Sequence, residues 1–411
     1  MSEWKKVKLG DIASAIQTGP FGSQLHQSDY SDIGVPVVMP KDIINGRIDE
    51  STIARVESHH VERLSRHKIS EGDILYARRG DVGKCAYTVF AQQGWLCGTG
   101  CLRVTIDKEK AFPKFIFFQL QKRETIGWVE KHAIGATMLN LNTSILGDVP
   151  IELPPLYIQH HIATILSRYD SLIENYQKQI KLLEEAAQRL YKEWFVDLHF
   201  PGHESTKFVD GVPEGWEKKS VKTIVELQSG YAFKSSDFAS DGIYKIVTIK
   251  NVKDGAFDGE NVSKIASIPE KMPKHCILED GDILLSLTGN VGRVCIVVGK
   301  NYLLNQRVAK LKSIFKAYTY CLFRSRDMFI DVNNLANGAA QQNVSPIKIG
   351  EMKILIPENK LLNEFEKESS NYISGVIAFQ SQIRLLTEAR DRLLPKLMSG
   401  EIEAKQQSIR T

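Results

Sequence analysis

Among 411 residues there are six cysteines and a net charge of only +4, and no apolar run approaches the roughly 20 residues that a membrane-spanning helix needs. Each shortage removes a class of protein. Cys85, Cys97, Cys101, Cys276, Cys295 and Cys321 are too sparse for a disulfide scaffold and read as buried thiols of a reducing compartment. With no apolar signal region in MSEWKKVKLGD, the expected location is cytoplasmic, with no membrane partner. The small net charge excludes a polybasic coat for nucleic acid but leaves room for a reader whose basic groups are focused on one surface. The basic excess falls in residues 201–360, with 22 Lys/Arg against 18 Asp/Glu. At 43% hydrophobic and 25% charged residues, the composition is that of a globular chain of two or three domains.

The signatures of catalysis are also missing. Gly80-Asp81-Val82-Gly83-Lys84 and Gly289-Asn290-Val291-Gly292-Arg293 are too short to cradle a triphosphate. Gly98-Thr99-Gly100 leads into strand-like CLRVTI, not into a helix whose N-terminus could hold a phosphate. Leu153-Pro154-Pro155-Leu156 has a proline pair like that of amino-methyltransferase sites, without the preceding Asn or Asp and the following aromatic that such a site needs. Cys97 and Cys101 lack a second pair, and His59-His60 and His160-His161 lack acidic or thiol partners at ligand spacing, so no metal site is expected. The chain is expected to bind and not to catalyse, with no cofactor of its own.

What is present is a repeat, the feature that decides the architecture. WKKVKLGDIASAIQTG (Trp4 to Gly19) returns as WEKKSVKTIVELQSG (Trp216 to Gly230), and EGDILYARRGDVGKC (Glu71 to Cys85) returns as DGDILLSLTGNVGRV (Asp280 to Val294) at an offset of 209. GATMLNLNTSILGDVPIELP (Gly135 to Pro154) returns as GAAQQNVSPIKIGEMKILIP (Gly338 to Pro357) at an offset of 203, which continues ungapped until QIKLLEEAAQRL (Gln179 to Leu190) meets QIRLLTEARDRL (Gln382 to Leu393). One module is therefore used twice, with insertions confined to loops.

Each module starts mixed and ends helical, an α+β class. Val35–Met39, Asp73–Ala77, Leu102–Ile106, Ile243–Ile249, Asp282–Leu287 and Arg293–Val298 are short apolar runs bounded by Gly, Pro or Asp, the strand signature. Phe115–Gln121 and Ala317–Arg324 read as buried helices. Ile162, Ile165, Tyr169, Leu172, Tyr176, Leu183, Ala186 and Leu190 follow heptad spacing with Gln179 as the one polar interruption, and Phe365, Tyr372, Val376, Phe379, Ile383, Leu386 and Leu393 repeat it. A helix over residues 158–197 would be roughly 60 Å long, too long to stand alone in water. Two such helices predict an intramolecular coiled coil, parallel or antiparallel. Pro154-Pro155 and Pro201-Gly202 bracket the first helix, and Pro395 and Gly400 end the second. The expected domains are 1–157, a helix over 158–200, 201–360, and a helix and polar tail over 361–411.

With two related globular regions each followed by a heptad helix, and with QTGPFGSQL (Gln17 to Leu25), GDILYARRGDVGK (Gly72 to Lys84) and GATMLNLN (Gly135 to Asn142) in that order, the chain resembles the specificity subunits of type I restriction-modification systems. The resemblance covers nearly all of the sequence. It implies two β-rich target recognition domains, each reading one half of a split, asymmetric double-stranded DNA target, and helices that form an antiparallel coiled coil related by a pseudo-twofold axis. It also implies two partner modification (methyltransferase) subunits, which hold S-adenosylmethionine and methylate adenine, and restriction (motor and nuclease) subunits that use ATP and Mg. The rival expectation is a stand-alone DNA methyltransferase or nuclease with duplicated recognition domains.

Under that resemblance the polar loops of the repeated blocks supply the DNA-binding candidates, because bidentate Arg, Lys, Asn and Gln discriminate base edges in the major groove. In the first copy these are Gln17, Gly19, Phe21, Gly22, Ser23, Arg78, Arg79, Lys84, Thr137 and Asn140; in the second, Ser229, Tyr231, Phe233, Lys234, Thr288, Asn290, Arg293, Gln341, Gln342 and Asn343. The matched glycines (Gly19 with Gly230, Gly80 with Gly289) are expected to be backbone turns. Side chains that differ between copies suit base reading, whereas Lys84 and Arg293 keep their charge in both and suit phosphate. Tyr191, Trp194 and Phe195, off the heptad seam, are expected to dock the modification subunits.

Overall fold

The sequence repeat returns as a repeat of strand order in the computed structural model, which describes residues 4–135, 139–260, 262–336 and 342–402. In the first copy β1 (Ala13–Thr18), β2 (Ile74–Ala77), β3 (Cys85–Tyr87) and β4 (Cys101–Ile106) form an antiparallel sheet in the order β1-β4-β2-β3. In the second, β5 (Glu226–Ser229), β6 (Ile283–Ser286), β7 (Val294–Ile296) and β8 (Val308–Lys312) repeat it as β5-β8-β6-β7. A further four-stranded sheet in each copy holds one parallel pair, Val35–Val38 with Leu96–Cys97 and Tyr244–Val247 with Tyr302–Leu304. A two-stranded ribbon joins Lys5–Lys8 to Pro150–Leu153, and another joins Glu217–Ser220 to Lys353–Ile356.

The GD strings repeat for a physical reason. Every residue of β2 and β6 is buried, so these strands are covered on both faces and read as unbroken apolar runs. Just before them Gly72 and Gly281 adopt φ +90° and +85°, which a side chain disfavours. The carboxylates of Asp73 and Asp282 then accept from the backbone N–H three residues earlier, at Ser70 (2.8 Å) and Glu279 (2.9 Å).

The expected buried helices are α1 (Pro113–Leu120) and α3 (Lys316–Arg324). The long ones are α2 (Leu156–Tyr191), which passes into a π-helical turn over Lys192–Val196, and α4 (Asn359–Met398). The chain forms two units whose boundary runs inside both long helices: Met1–Ser171 with Thr387–Thr411, and Leu172–Leu386.

In the second unit Tyr176 stacks on Phe379 (5.1 Å), Leu183 lies over Gly375, and Trp194 meets Phe365 (5.6 Å). As α2 advances α4 retreats, so the pairing is antiparallel. The first unit shows the same sense: Asp170 binds Arg390 at 2.9 Å, while Leu397 and Met398 enter the core with Ile162, Ala163 and Leu166. Two heptad expectations need correction. Leu172 is 45% exposed while Ile173 is 8% exposed, because the buried stripe runs through Ile162, Leu166 and Ile173: Ile162 is as expected, but the positions expected at Ile165 and Leu172 each fall one residue later. Pro395 does not end α4, which continues to Met398 and stops before Gly400 (φ +72°); burial of Leu397 and Met398 holds the last turn.

The expectation that Tyr191, Trp194 and Phe195 form a docking surface is also corrected. Tyr191 and Trp194 are buried and Phe195 is half-buried. Phe195 contacts Tyr318 and Phe365 (both 4.9 Å) and Trp216 (6.0 Å), and Tyr191 contacts Tyr318 (5.7 Å). These rings join α2, α3 and α4 in the core of the second unit; the buried Tyr191 and Trp194 have no face to offer a partner, and Phe195 is engaged by three neighbouring rings.

Candidate nucleic-acid interface

In the first unit three segments meet where β1 and β2 end. Gly19 closes β1 by donating its N–H to the Cys101 carbonyl (2.9 Å), and a Cβ at Gly19 would lie 2.0 Å from the Gly98 carbonyl oxygen. Gly230 repeats this with an N–H to Val308 O (3.3 Å) and a 2.2 Å approach to Asn305 O. These two glycines are therefore needed for close backbone passage, not for a left-handed turn. Gly80 and Gly289, at φ +75° and +73°, are turns as expected.

Beyond Gly19 the chain turns through Phe21, Gly22 and Ser23, all exposed; Phe21 N–H donates to Gln24 Oε1 (3.1 Å) and Gln24 N–H to Phe21 O (2.8 Å). Phe21 is 52% exposed, and the Arg78 guanidinium lies 6.0 Å from its ring centroid. The loop after β2 is tied to the segment before the Thr143–Gly147 helix: Leu141 N–H donates to Arg78 O (2.8 Å), Gly80 N–H to Leu139 O (3.2 Å), and Arg79 bridges Asn140.

The second unit rebuilds the same tie. Val344 N–H donates to Leu287 O (2.9 Å), Gly289 N–H to Gln342 O (2.8 Å), and Thr288 bridges Asn343. Here the side chains engage as well, Thr288 Oγ1 donating to Asn343 Oδ1 at 2.8 Å. Tyr231 and Phe233 form an edge-on pair (5.2 Å), and Lys234 N–H caps on Asp237 (3.0 Å). Asn290 is exposed, and its carbonyl accepts from Ser286 Oγ, which in turn accepts from the Arg293 N–H at 3.0 Å.

Several candidates stand apart from these loops. Gln17 lies within β1 and Ser229 ends β5, so neither is a loop residue. Gln17 Oε1 accepts from Arg103 (2.5 Å), whose guanidinium sits 3.9 Å from Asp73, and in the second unit Gln228 faces Lys310, which binds Asp282 at 2.7 Å. The same Gln, cation and Asp positions recur in both copies, but the contacts differ: Gln17 bonds Arg103 and so ties β1 to β4, whereas Gln228 Nε2 donates to Glu226 on its own strand (2.9 Å); sequence inspection missed the row because its members are far apart along the chain. Lys84 is exposed and paired with Asp81 (3.0 Å), while Arg293 is half-buried. Thr137 and Gln341 lie outside the described residues. Strand register also aligns Gly98-Thr99-Gly100 with Asn305-Gln306-Arg307: Arg78 N–H donates to Gly100 O (2.8 Å) and Leu287 N–H to Arg307 O (3.0 Å). Gln306 and Arg307 are exposed beside Tyr231, whose carbonyl accepts from Gln306 N–H (3.0 Å). They are further candidates, and only the register reveals them.

Each unit thus presents polar and aromatic side chains on loops pinned by backbone hydrogen bonds, a rigid mount for reading an edge of fixed geometry. Among the described residues no group of three or more His, Cys, Asp or Glu could hold a metal, and no helix is long and apolar enough to cross a membrane.

Comparison with known proteins agrees with this duplicated arrangement. The chain is 26% identical to the type I restriction enzyme MjaIX specificity subunit of Methanocaldococcus jannaschii, over 98% of this chain and 94% of that one. It is 29% identical to the MjaVIII specificity subunit of the same organism, over 71% and 70%. In structure it is similar to the type I restriction-modification system S subunit from M. genitalium, with a TM-score of 0.58 over 96% of both chains at 17% identity. The type I restriction modification DNA specificity domain matches twice, at residues 1–185 and 213–371, and the chain belongs to that family.

Proposed function

We propose that this chain is the DNA-recognition component of a type I restriction-modification complex, in which each repeat reads one half of a split target through the major groove. The observation that carries the reading is the repeated loop mount: the 78–80 and 287–289 loops are tied to 139–141 and 342–344 by matching hydrogen bonds, yet where the first copy has Arg78 and Arg79 the second has Leu287 and Thr288. Two readers on one scaffold that carry different side chains suit an asymmetric target. The long helices supply the spacing between half-sites and dock two modification subunits, which bring S-adenosylmethionine, while restriction subunits bring ATP and Mg. The double family match is to the recognition component, and a stand-alone methyltransferase or nuclease finds no support.

Single-molecule sequencing of host DNA with and without the gene tests this. One split motif carrying methylated adenine should vanish when the gene is deleted. An unchanged methylation pattern, together with no methylation by the chain reconstituted with modification subunits, would refute the proposal.

A further inference from the structure

The two copies differ in chemistry just after β2 and β6, Arg78-Arg79 against Leu287-Thr288. In the first unit Arg78 is half-buried, its guanidinium over the exposed ring of Phe21. Its Nε is buried without a hydrogen-bond partner, and so is Asn140 Oδ1 on the neighbouring bridge. The backbone between them is already satisfied, Arg78 N–H by Gly100 O and Arg78 O by Leu141 N–H. Buried donors and acceptors are rarely left unpaired, so this is a polar site incomplete in the protein alone. An aromatic face under a guanidinium keeps the planar fork from sampling its many rotamers, which lowers the ordering cost of a bidentate contact. The matching acceptor pair on a DNA edge is O6 and N7 of guanine.

The second unit cannot do this from the same place. Leu287 stands where Arg78 does and is buried, and Thr288 and Asn343 bond to each other. We propose that Arg78, laid across Phe21, reads a guanine in the half-site bound by the first unit, with Phe21 as its positioning residue, and that the second unit reads no guanine from the equivalent position. This rests on the reading of the paired loops as half-site readers and names the base that one of them recognises.

The test uses the chain assembled with its modification subunits and duplexes carrying the motif found by sequencing. Each guanine is replaced in turn by 7-deazaguanine, which removes N7 and leaves base pairing intact. One guanine of one half-site should lower methylation ten- to a hundredfold when so replaced. Arg78→Ala should lose at least as much on normal guanine, since it removes the bond to O6 as well as that to N7, and should show no further loss on the analogue. Arg78→Lys should fail to restore the rate, and Phe21→Ala should give a several-fold loss at the same base while Phe21→Tyr keeps the rate. The proposal is overturned if Arg78→Ala slows every duplex equally, as a phosphate contact would, or leaves base preference unchanged. If the parent complex methylates no split motif, the half-site reading itself has failed, an outcome separate from either of these.

Discussion

Trp194→Ala separates a packing role from a docking role in one variant. Trp194 is 7% exposed and meets Phe365 at 5.6 Å and Phe195 at 6.2 Å. An aromatic of this size buries about 150–250 Å², and at about 25 cal/mol per Å² its removal forfeits roughly 4–6 kcal/mol, an upper bound because the unfolded chain is already partly collapsed. A loss of about 3–5 kcal/mol is expected, in line with other large-to-small core changes. Urea unfolding followed by circular dichroism should show the midpoint of the second unit falling at unchanged slope. Phe365→Ala should do the same, and the double variant should be less destabilised than the sum, by about 0.5–1.5 kcal/mol, because both changes break one ring contact. If Trp194→Ala unfolded at the parent's urea concentration while losing assembly with modification subunits, the core assignment would be wrong and the ring would be a docking residue after all.

Three further outcomes are expected. Lys310→Ala strands Asp282, 11% exposed and 2.7 Å from the ammonium, and should cost the second unit about 3 kcal/mol by denaturant titration; a cost below about 1 kcal/mol would mean that water replaces the ammonium. Gly19→Ala must push its Cβ against the Gly98 carbonyl and should destabilise by about 2 kcal/mol or more, whereas Gly22→Ala, with nothing within 4 Å, should stay within about 0.5 kcal/mol; equal melting temperatures for the two would refute the close-passage argument. Burial, with the neighbouring Arg66 charge, holds His67 below the usual histidine range, so the unfolded chain takes up the proton first and the first unit should lose stability as pH falls below about 6.5; the loss should be smaller in His67→Gln, and an identical pH slope in both proteins would rule His67 out as its source.

Repeats, strands and long helices were legible because their signals are local: the GD turns, the apolar runs and the 3-4 spacing are all written within a few residues of where they act. The phase of the stripe was not, since Ile165 or Leu166 and Leu172 or Ile173 fit heptad spacing equally until the opposing helix selects one of each pair. Tyr191, Trp194 and Phe195 misled for a related reason: Tyr191 and Phe195 pack on a third helix, Lys316–Arg324, which the heptad pattern does not include, and Trp194 packs on Phe365 of the opposing long helix. At the site, sequence comparison identified the loops after β1 and β2, whose strings repeat. It could not identify Gln306 and Arg307, because their counterparts are Thr99 and Gly100 and nothing in the letters aligns them. It also could not show that Gln17 is engaged by Arg103, a contact 86 residues long in sequence.

The division of the chain inside its helices sets an order of events during synthesis. Residues 172–386 form one unit from continuous chain and can close as soon as they are made. The first unit cannot, because Leu397 and Met398 complete the core that Ile162, Ala163 and Leu166 begin. Its strands leave the ribosome first yet wait for more than two hundred further residues, which at about 5–20 residues per second is tens of seconds. During that interval an apolar groove is open on the N-terminal half, so the copy that is translated first is the one that matures last.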